Sequence, residues 1–421
     1  MRVLWITNQP IGAATKKYGT GTSGTWMDPT LYEMHQASVE IYLGVAFVSD
    51  VKSAETFVEE GIHYYALPRD PKKIYPYNDK KHRSEWKSVI TDMNPDLIMI
   101  WGTEYAHGLC ALLEAKGVPS VIVIQGILKS VSRYYCGEMN ISDIKSNYTF
   151  RSFIKHDSIL NAQKLYKKKS QYELEMYQIS QNVILENKWA EAYIKAKVPS
   201  MNSYYYKLKI KDLFYEPEWN LDACDRESIL CTAPGPYPLK GFHLLLEALA
   251  IIKRKYPNVI LRVPGMKSPF ECYVLERIKR SDYVQYVMEI IDRNELRNNI
   301  EFLGDISSQR MAQELKRTHV FVAPSTIENQ SMSLREAMAV GTPCVASAVG
   351  GIPELVTNEE DCLVFRSGEY EYMAECIMDI FSTDDKAKYI SKSARNRIRD
   401  YYSDHADTKT LIDIYKKILY R

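Results

Sequence analysis

Residues 325–356 read STIENQSMSLREAMAVGTPCVASAVGGIPELV. Glu328 and Glu336 stand eight positions apart in this stretch, on either side of what reads as a helix start. Gly341, with Pro343 just beyond it, reads as the stop: glycine takes the left-handed backbone of a helix C-cap and proline cannot continue the turn. The preceding HVFVAPS (319–325) and the following TPCVASAVGG (342–351) are short apolar runs that end in turn residues, as buried strands do. A strand, a loop holding a carboxylate, a helix and another strand form one unit of a parallel sheet covered by helices.

The same alternation extends in both directions. Toward the N-terminus it includes VLWIT (3–7), VEIYLGVAFV (39–48), HYYAL (63–67), DLIMIWG (96–102), SVIVIQG (120–126) and QNVILEN (181–187), with helical stretches between several of them. A second series begins at SILCTA (228–233) and continues through VILRVPG (259–265) and NNIEFLG (298–304). Between the two series, FYEPEWNLDACDRE (214–227) is polar, contains proline and lacks periodicity, so it reads as a linker. A chain of 421 residues exceeds one ordinary core. The expected fold class is α/β, with two doubly wound parallel-sheet domains: residues 1–215, residues 216–400, and a last segment, 401–421, crossing back onto the first domain. Ligands of such sheets bind beyond the carboxyl ends of the strands, here in a cleft between the domains.

Composition excludes several classes of function. Lys plus Arg (54) nearly balance Asp plus Glu (53), which argues against a dedicated nucleic-acid binder. Eight cysteines show no CxxC pair and eight histidines no HxxxH or HExxH pattern, so neither a disulfide framework nor a metal site is expected. No apolar run approaches the roughly 20 residues of a membrane span. A cytoplasmic protein is expected. Residues 129–170 carry nine Lys or Arg against three acids. The bland reading is a solvated helix face; the sharper one is peripheral contact with the anionic inner face of the cell membrane, at about 1 kcal/mol per basic residue near the lipid.

These motifs together resemble the retaining GT-B glycosyltransferases of glycosyltransferase family 4 (group 1), of the bacterial polysaccharide-assembly type. Glu328 and Glu336 match that family's E-x7-E motif; REAMAVGTPCVAS (335–347) resembles its helix-turn-strand, and GGIPELV (350–356) its glycine turn. LKG (239–241) is similar to its donor-phosphate lysine segment, while VPG (263–265) and IEFLGDIS (300–307) stand where its later strands end. PDLIMIWGTEYAHGL (95–109), SVIVIQG and YYYKLKIKDLFY (204–215) extend the likeness, more weakly, over nearly the whole chain. The resemblance implies the GT-B fold, two Rossmann-like domains facing across a cleft, with the acceptor on the first and a nucleotide sugar on the second.

It also implies roles. Glu336 would accept both ribose hydroxyls; the alternative from sequence is a capping box, SLRE, with Ser333 as N-cap and Glu336 reaching back. Glu328 would hold sugar hydroxyls or stabilise charge at the anomeric carbon, although a carboxylate there could merely complement a helix dipole. Lys240, directly before Gly241 and an apolar helix, would neutralise the departing diphosphate. Asn329, Ser331, Met332 and Ser333 would present backbone N–H groups to the donor, with Gly24, Gly235 and Gly265 completing its site. Gly235 stands where the family has an arginine. Gln125 and Thr25 are expected on the acceptor side, and His107 is a catalytic candidate beyond a strand end whose base-rate reading is an interior histidine. Gly350 and Gly351 shape the site through a close turn.

The implied reaction is transfer of a sugar, with retention and without a metal or cofactor, from a nucleotide diphosphate sugar (UDP favoured over GDP) to a glycan or lipid-linked hydroxyl in capsule or exopolysaccharide assembly. Two alternatives remain from sequence: a catalytically inactive partner subunit of the same fold, and a sugar-nucleotide epimerase. A dehydrogenase is disfavoured, because neither first strand is followed by the dinucleotide fingerprint.

Overall fold

The computed structural model describes residues 1–19, 25–37, 41–69, 80–232, 237–265, 268, 280–404 and 406–420. They form two compact units, each built on one sheet.

The first unit comprises Met1–Lys129, Lys167–Lys211 and Tyr402–Arg421. Its strands are β1 (Arg2–Thr7), β2 (Tyr42–Ser49), β3 (Glu55–Glu59), β4 (Ile62–Pro68), β5 (Leu97–Trp101), β6 (Ser120–Val123), β7 (Asn182–Leu185) and β8 (Asn202–Tyr205). They lie in the order β3-β4-β2-β1-β5-β6-β7-β8, parallel except for the β3–β4 hairpin. β5 is buried at every position because both faces are covered. Leu97, Met99 and Trp101 pack on one side with Leu31, Leu411 and Tyr415, and Ile98 and Ile100 on the other with Trp86, Leu109 and Met176. The last helix, Thr408–Leu419, is tied into the first of these layers by a bond from Trp5 Nε1 to the Tyr415 hydroxyl, 3.0 Å.

The second unit comprises Ser130–Tyr166 and Asp212–Tyr401. Its strands are β9 (Asp225–Leu230), β10 (Ile260–Pro264), β11 (Ile300–Gly304), β12 (Thr318–Ala323), β13 (Cys344–Ser347) and β14 (Leu363–Phe365). They lie in the order β11-β10-β9-β12-β13-β14, and every pairing is parallel. The chain builds outward from β9 in one direction, then restarts on its other side with β12. The carboxyl ends of β9 and β12 are therefore a topological switch point, where the loops diverge and leave a crevice. The first sheet has the same feature between β1 and β5.

Two expectations about domain limits are corrected. Residues 130–166, assigned to the first domain, belong to the second unit, because their anchoring bonds go there. Thr149 N–H donates to Asp282 Oδ1 at 2.8 Å, Asn147 Nδ2 to Glu289 Oε2 at 3.0 Å, and His243 Nε2 to the Gly137 carbonyl at 2.7 Å. The supposed linker 214–227 is structured: Trp219 is buried and donates to the Thr318 carbonyl at 2.7 Å, and β9 has begun by Asp225.

Candidate functional site

In the second unit three loops meet at the switch point. After β9, Lys240 ends a short 3₁₀ turn and Gly241 starts the helix Phe242–Lys255 at φ +68°. A Cβ on Gly241 would lie 1.8 Å from the Pro324 carbonyl, so only glycine lets this loop close on the end of β12. Thr326 N–H then donates to the Leu239 carbonyl at 2.8 Å. After β13, Gly350 at φ +53° passes so near Glu328 that a Cβ would lie 1.8 Å from its carbonyl oxygen, and Gly351 N–H bonds that oxygen at 3.1 Å.

The outcome is a charge pair. Lys240 Nζ donates to Glu328 Oε2 at 2.7 Å across 88 residues of sequence, and the Ser325 hydroxyl donates to the same oxygen at 3.2 Å. The lysine side chain is 35% exposed and the glutamate 14%, so the pair lies at the edge of solvent. Burial disfavours the charged lysine, but the adjoining carboxylate outweighs it and holds Lys240 above its ordinary value. The ammonium is charged at neutral pH.

The helix Met332–Val340 opens just past Glu328. Its N-cap is Ser331, whose hydroxyl accepts from Leu334 N–H at 3.3 Å, and not Ser333. This correction matters for Glu336. With Ser331 as cap, Glu336 falls in the second turn, beyond the reach of a capping box. That alternative is removed; Glu336 is partly exposed on a helix anchored by buried Leu334, Arg335 and Ala337. Met332 and Ser333 occupy the first turn, whose N–H groups lack intrahelical partners. Asn329 and Ser331 are buried in the loop. Gly265 follows β10 at φ +80°, exposed, its N–H bonded to the Gly304 carbonyl at 2.7 Å. Gly24 and Gly235 lie outside the described residues, as does the side chain of Thr25 at the head of a 3₁₀ turn.

The first unit carries a second polar cluster at its own switch point. Asn8 Nδ2, past β1, donates to Glu104 Oε2, past β5, at 2.8 Å. A Cβ on Gly102, at φ +87°, would lie 2.2 Å from Glu104 Oε2, 3.0 Å from Asn8 Nδ2 and 3.1 Å from Gln125 Oε1. Three side chains thus converge above a residue that must be glycine. Burial raises Glu104 above the usual carboxylate range, against the bonds that favour its ionised form. Behind it, Glu173 accepts from the Thr103 hydroxyl at 2.9 Å and Leu128 N–H at 3.0 Å, fixing the turns after β5 and β6. Burial pushes Glu173 up to about 7.

Gln125 therefore keeps company with Glu104 and Asn8, neither of which the sequence singled out. Their signal was faint: polar residues just past buried strands, one of them two residues after a glycine. His107 lies among aromatic rings. Its ring stacks between Trp86 (5.9 Å) and Tyr105 (5.7 Å), its N–H bonds the Thr7 carbonyl, and burial lowers it to about 4. It is therefore neutral at pH 7. Among the described residues no cluster of His, Cys, Asp and Glu has metal-ligating geometry, and no helix is long and apolar enough to cross a membrane.

Residues 225–397 match the sequence family described as Glycosyl transferases group 1. A D-inositol 3-phosphate glycosyltransferase of Corynebacterium urealyticum is 25% identical over 180 residues, covering 43% of this chain and 41% of the relative. The match thus spans about two fifths of that relative's length. Among solved structures, sucrose-phosphate synthase from Thermosynechococcus elongatus superposes over 100% of both chains with TM-score 0.74 at 17% identity. Anabaena HepE in complex with UDP and glucose does so over 100% of both chains with TM-score 0.66 at 16% identity. Both likenesses are of fold. The chain has the GT-B fold, and its residues 225–397 are similar to the glycosyl transferases group 1 family.

Proposed function

We propose that this chain transfers a sugar from a nucleotide diphosphate sugar, UDP-linked in preference to GDP-linked, to a hydroxyl of a glycan or lipid-linked acceptor, with retention of configuration. The observation that carries the reading is the Lys240–Glu328 pair at the switch point of the second sheet, directly before the first-turn N–H groups of Met332 and Ser333 in the helix Met332–Val340.

Lys240 and those N–H groups meet the diphosphate, whose charge grows as it leaves. Glu336 accepts the two ribose hydroxyls. Glu328, placed against Lys240, faces the sugar end of the diphosphate, where it accepts from sugar hydroxyls and stabilises positive charge at the anomeric carbon. The bond from that carbon to the phosphate oxygen breaks, the acceptor oxygen bonds the carbon on the same face, and the departing phosphate takes the acceptor proton. These residues supply the charge stabilisation with no metal assigned. On the first unit, Glu104 accepts from a hydroxyl of the acceptor, with Asn8 and Gln125 beside it. HepE, a structural neighbour, is described with UDP and glucose, which supports a uridine donor here. Capsule or exopolysaccharide assembly is the setting that fits a lipid-linked glycan acceptor.

Calorimetry against UDP, GDP, ADP and their sugars tests the donor side. Selective binding of one nucleotide, lost in Lys240→Ala and Glu336→Ala, supports the reading. Binding of none would overturn it in favour of a partner subunit that holds no donor. Turnover of a UDP-sugar to its epimer without acceptor would overturn it in favour of an epimerase.

A further inference from the structure

Thirteen large hydrophobic side chains are exposed among the described residues, and six of them lie between Tyr134 and Ile154. Three stand out: Phe150 is 69% exposed, Phe153 58% and Ile154 59%. They occupy positions i, i+3 and i+4 of one six-residue helix, Phe150–Lys155, and so share a face. Isolated surface hydrophobics need no explanation, but a contiguous patch of this kind marks an interaction site.

The helix is firmly held. Thr149 caps it, accepting from Ser152 N–H at 3.2 Å, and the Thr149 hydroxyl and N–H both donate to Asp282 Oδ1, at 3.1 and 2.8 Å. Asp282 is buried at the head of the helix Asp282–Arg293. Ser152 is buried beneath the helix, so packing uses the polar face and leaves the apolar one in solvent. That arrangement reverses the ordinary logic of a surface helix.

Charge selects the occupant. The chain as a whole has a formal net charge of only +1, yet residues 130–166 carry five Lys or Arg against three acids. Lys155 is exposed at the end of this helix and Lys145 at the end of the preceding helix, Ile141–Ser146, while Arg151 is paired with Asp157 at 2.9 Å. Exposed apolar and aromatic side chains with exposed lysines on the same and the preceding helix match the headgroup boundary of an anionic bilayer. A second copy of the chain is a poorer fit, since a stable dimer buries about 800 Å² per partner and one short helix face offers little of that. We propose that the helix Phe150–Lys155 docks the second unit on an anionic lipid surface, with Phe150, Phe153 and Ile154 entering the headgroup–acyl boundary and Lys145 and Lys155 meeting lipid phosphates.

The test is co-sedimentation of the purified full chain with sucrose-loaded vesicles, either phosphatidylcholine alone or mixed equally with phosphatidylglycerol. The wild type should pellet with the mixed vesicles. Phe150→Ser/Phe153→Ser/Ile154→Ser should lower that partition at least about tenfold, and Lys145→Glu/Lys155→Glu should remove the preference for phosphatidylglycerol. All these side chains are exposed, so thermal unfolding of both variants should match the wild type. UDP affinity measured on the same preparations reports separately on the donor site, and its loss or retention says nothing about docking. Wild type that stays in the supernatant, or a triple variant that pellets equally, overturns the proposal. So does a dimer in sedimentation velocity that the triple variant dissociates without any vesicle binding, since the patch would then serve a second copy.

Discussion

Consider Lys240→Ala set beside Glu328→Gln. Without ligand, the ammonium lies 2.7 Å from the carboxylate. A diphosphate arriving at the switch point must share Lys240 with Glu328, and the carboxylate repels it. A charge-assisted hydrogen bond contributes about 1.5–3 kcal/mol. Because Lys240 is 35% exposed, solvent screening argues for the lower end, about 1.5–2 kcal/mol. Removing it should therefore weaken UDP binding about 10- to 30-fold. Glu328→Gln keeps a hydrogen-bond acceptor of the same shape but deletes the competing charge. UDP should then bind as tightly as to the wild type, or up to about tenfold more tightly at low salt, while sugar transfer falls. Calorimetric titration of UDP at two ionic strengths, with donor turnover alongside, separates these effects. If both substitutions weaken UDP equally, the pair only holds two loops together. If Lys240→Ala binds UDP normally, the lysine is no phosphate ligand.

Three further outcomes follow from the geometry. Gly350→Ala forces a Cβ to within 1.8 Å of the Glu328 carbonyl at φ +53°; it should destabilise by at least about 2 kcal/mol in denaturant melts and weaken UDP binding by displacing the loop. Tyr415→Phe strips the buried Trp5 N–H of its acceptor and should destabilise by about 1–2 kcal/mol without changing UDP affinity. Glu173 is held up to about 7 from an ordinary 4.5 by burial, so between those values the folded state keeps a proton that the unfolded state has lost. This contribution is full below about pH 4.5 and is lost as pH rises through about 7. Glu173→Gln should flatten the fall over that window by about 1–3 kcal/mol; an unchanged pH profile of stability would refute the assignment.

The two-sheet architecture was legible because buried parallel strands write themselves as short apolar runs, and β1, β5, β10 and β12 all did so. The edges were harder. β3 is largely exposed, β8 is half-buried and β14 spans only three residues, so none stands out as an apolar run. The Lys240–Glu328 pair was legible as two candidates, but their contact depends on Gly241 and Gly350, whose need for close approach shows only in space. The N-cap was misplaced by two residues because Ser331 and Ser333 both satisfy the local rule, and only backbone geometry separates them. Residues 130–166 were misassigned for a different reason. Local sequence specifies a helix and its apolar face, but not which of two sheets supplies Asp282 and Glu289. Glu104 was overlooked because its importance comes from topology: β1 and β5 are far apart in sequence and adjacent in the sheet.

The chain crosses from one unit to the other four times, after residues 129, 166, 211 and 401. A cut at any single joint therefore yields two fragments that are each missing part of themselves. A piece ending at Lys211 would lack the Tyr415 that closes over Trp5, and one starting at Asp212 would leave Asp282 and His243 without Thr149 and Gly137. Recombination that exchanged one second unit for another, in a laboratory or in a lineage, would have to carry residues 130–166 along as a separate cassette. Where the second unit of such a chain diversifies, this distant stretch is bound to change in step with it.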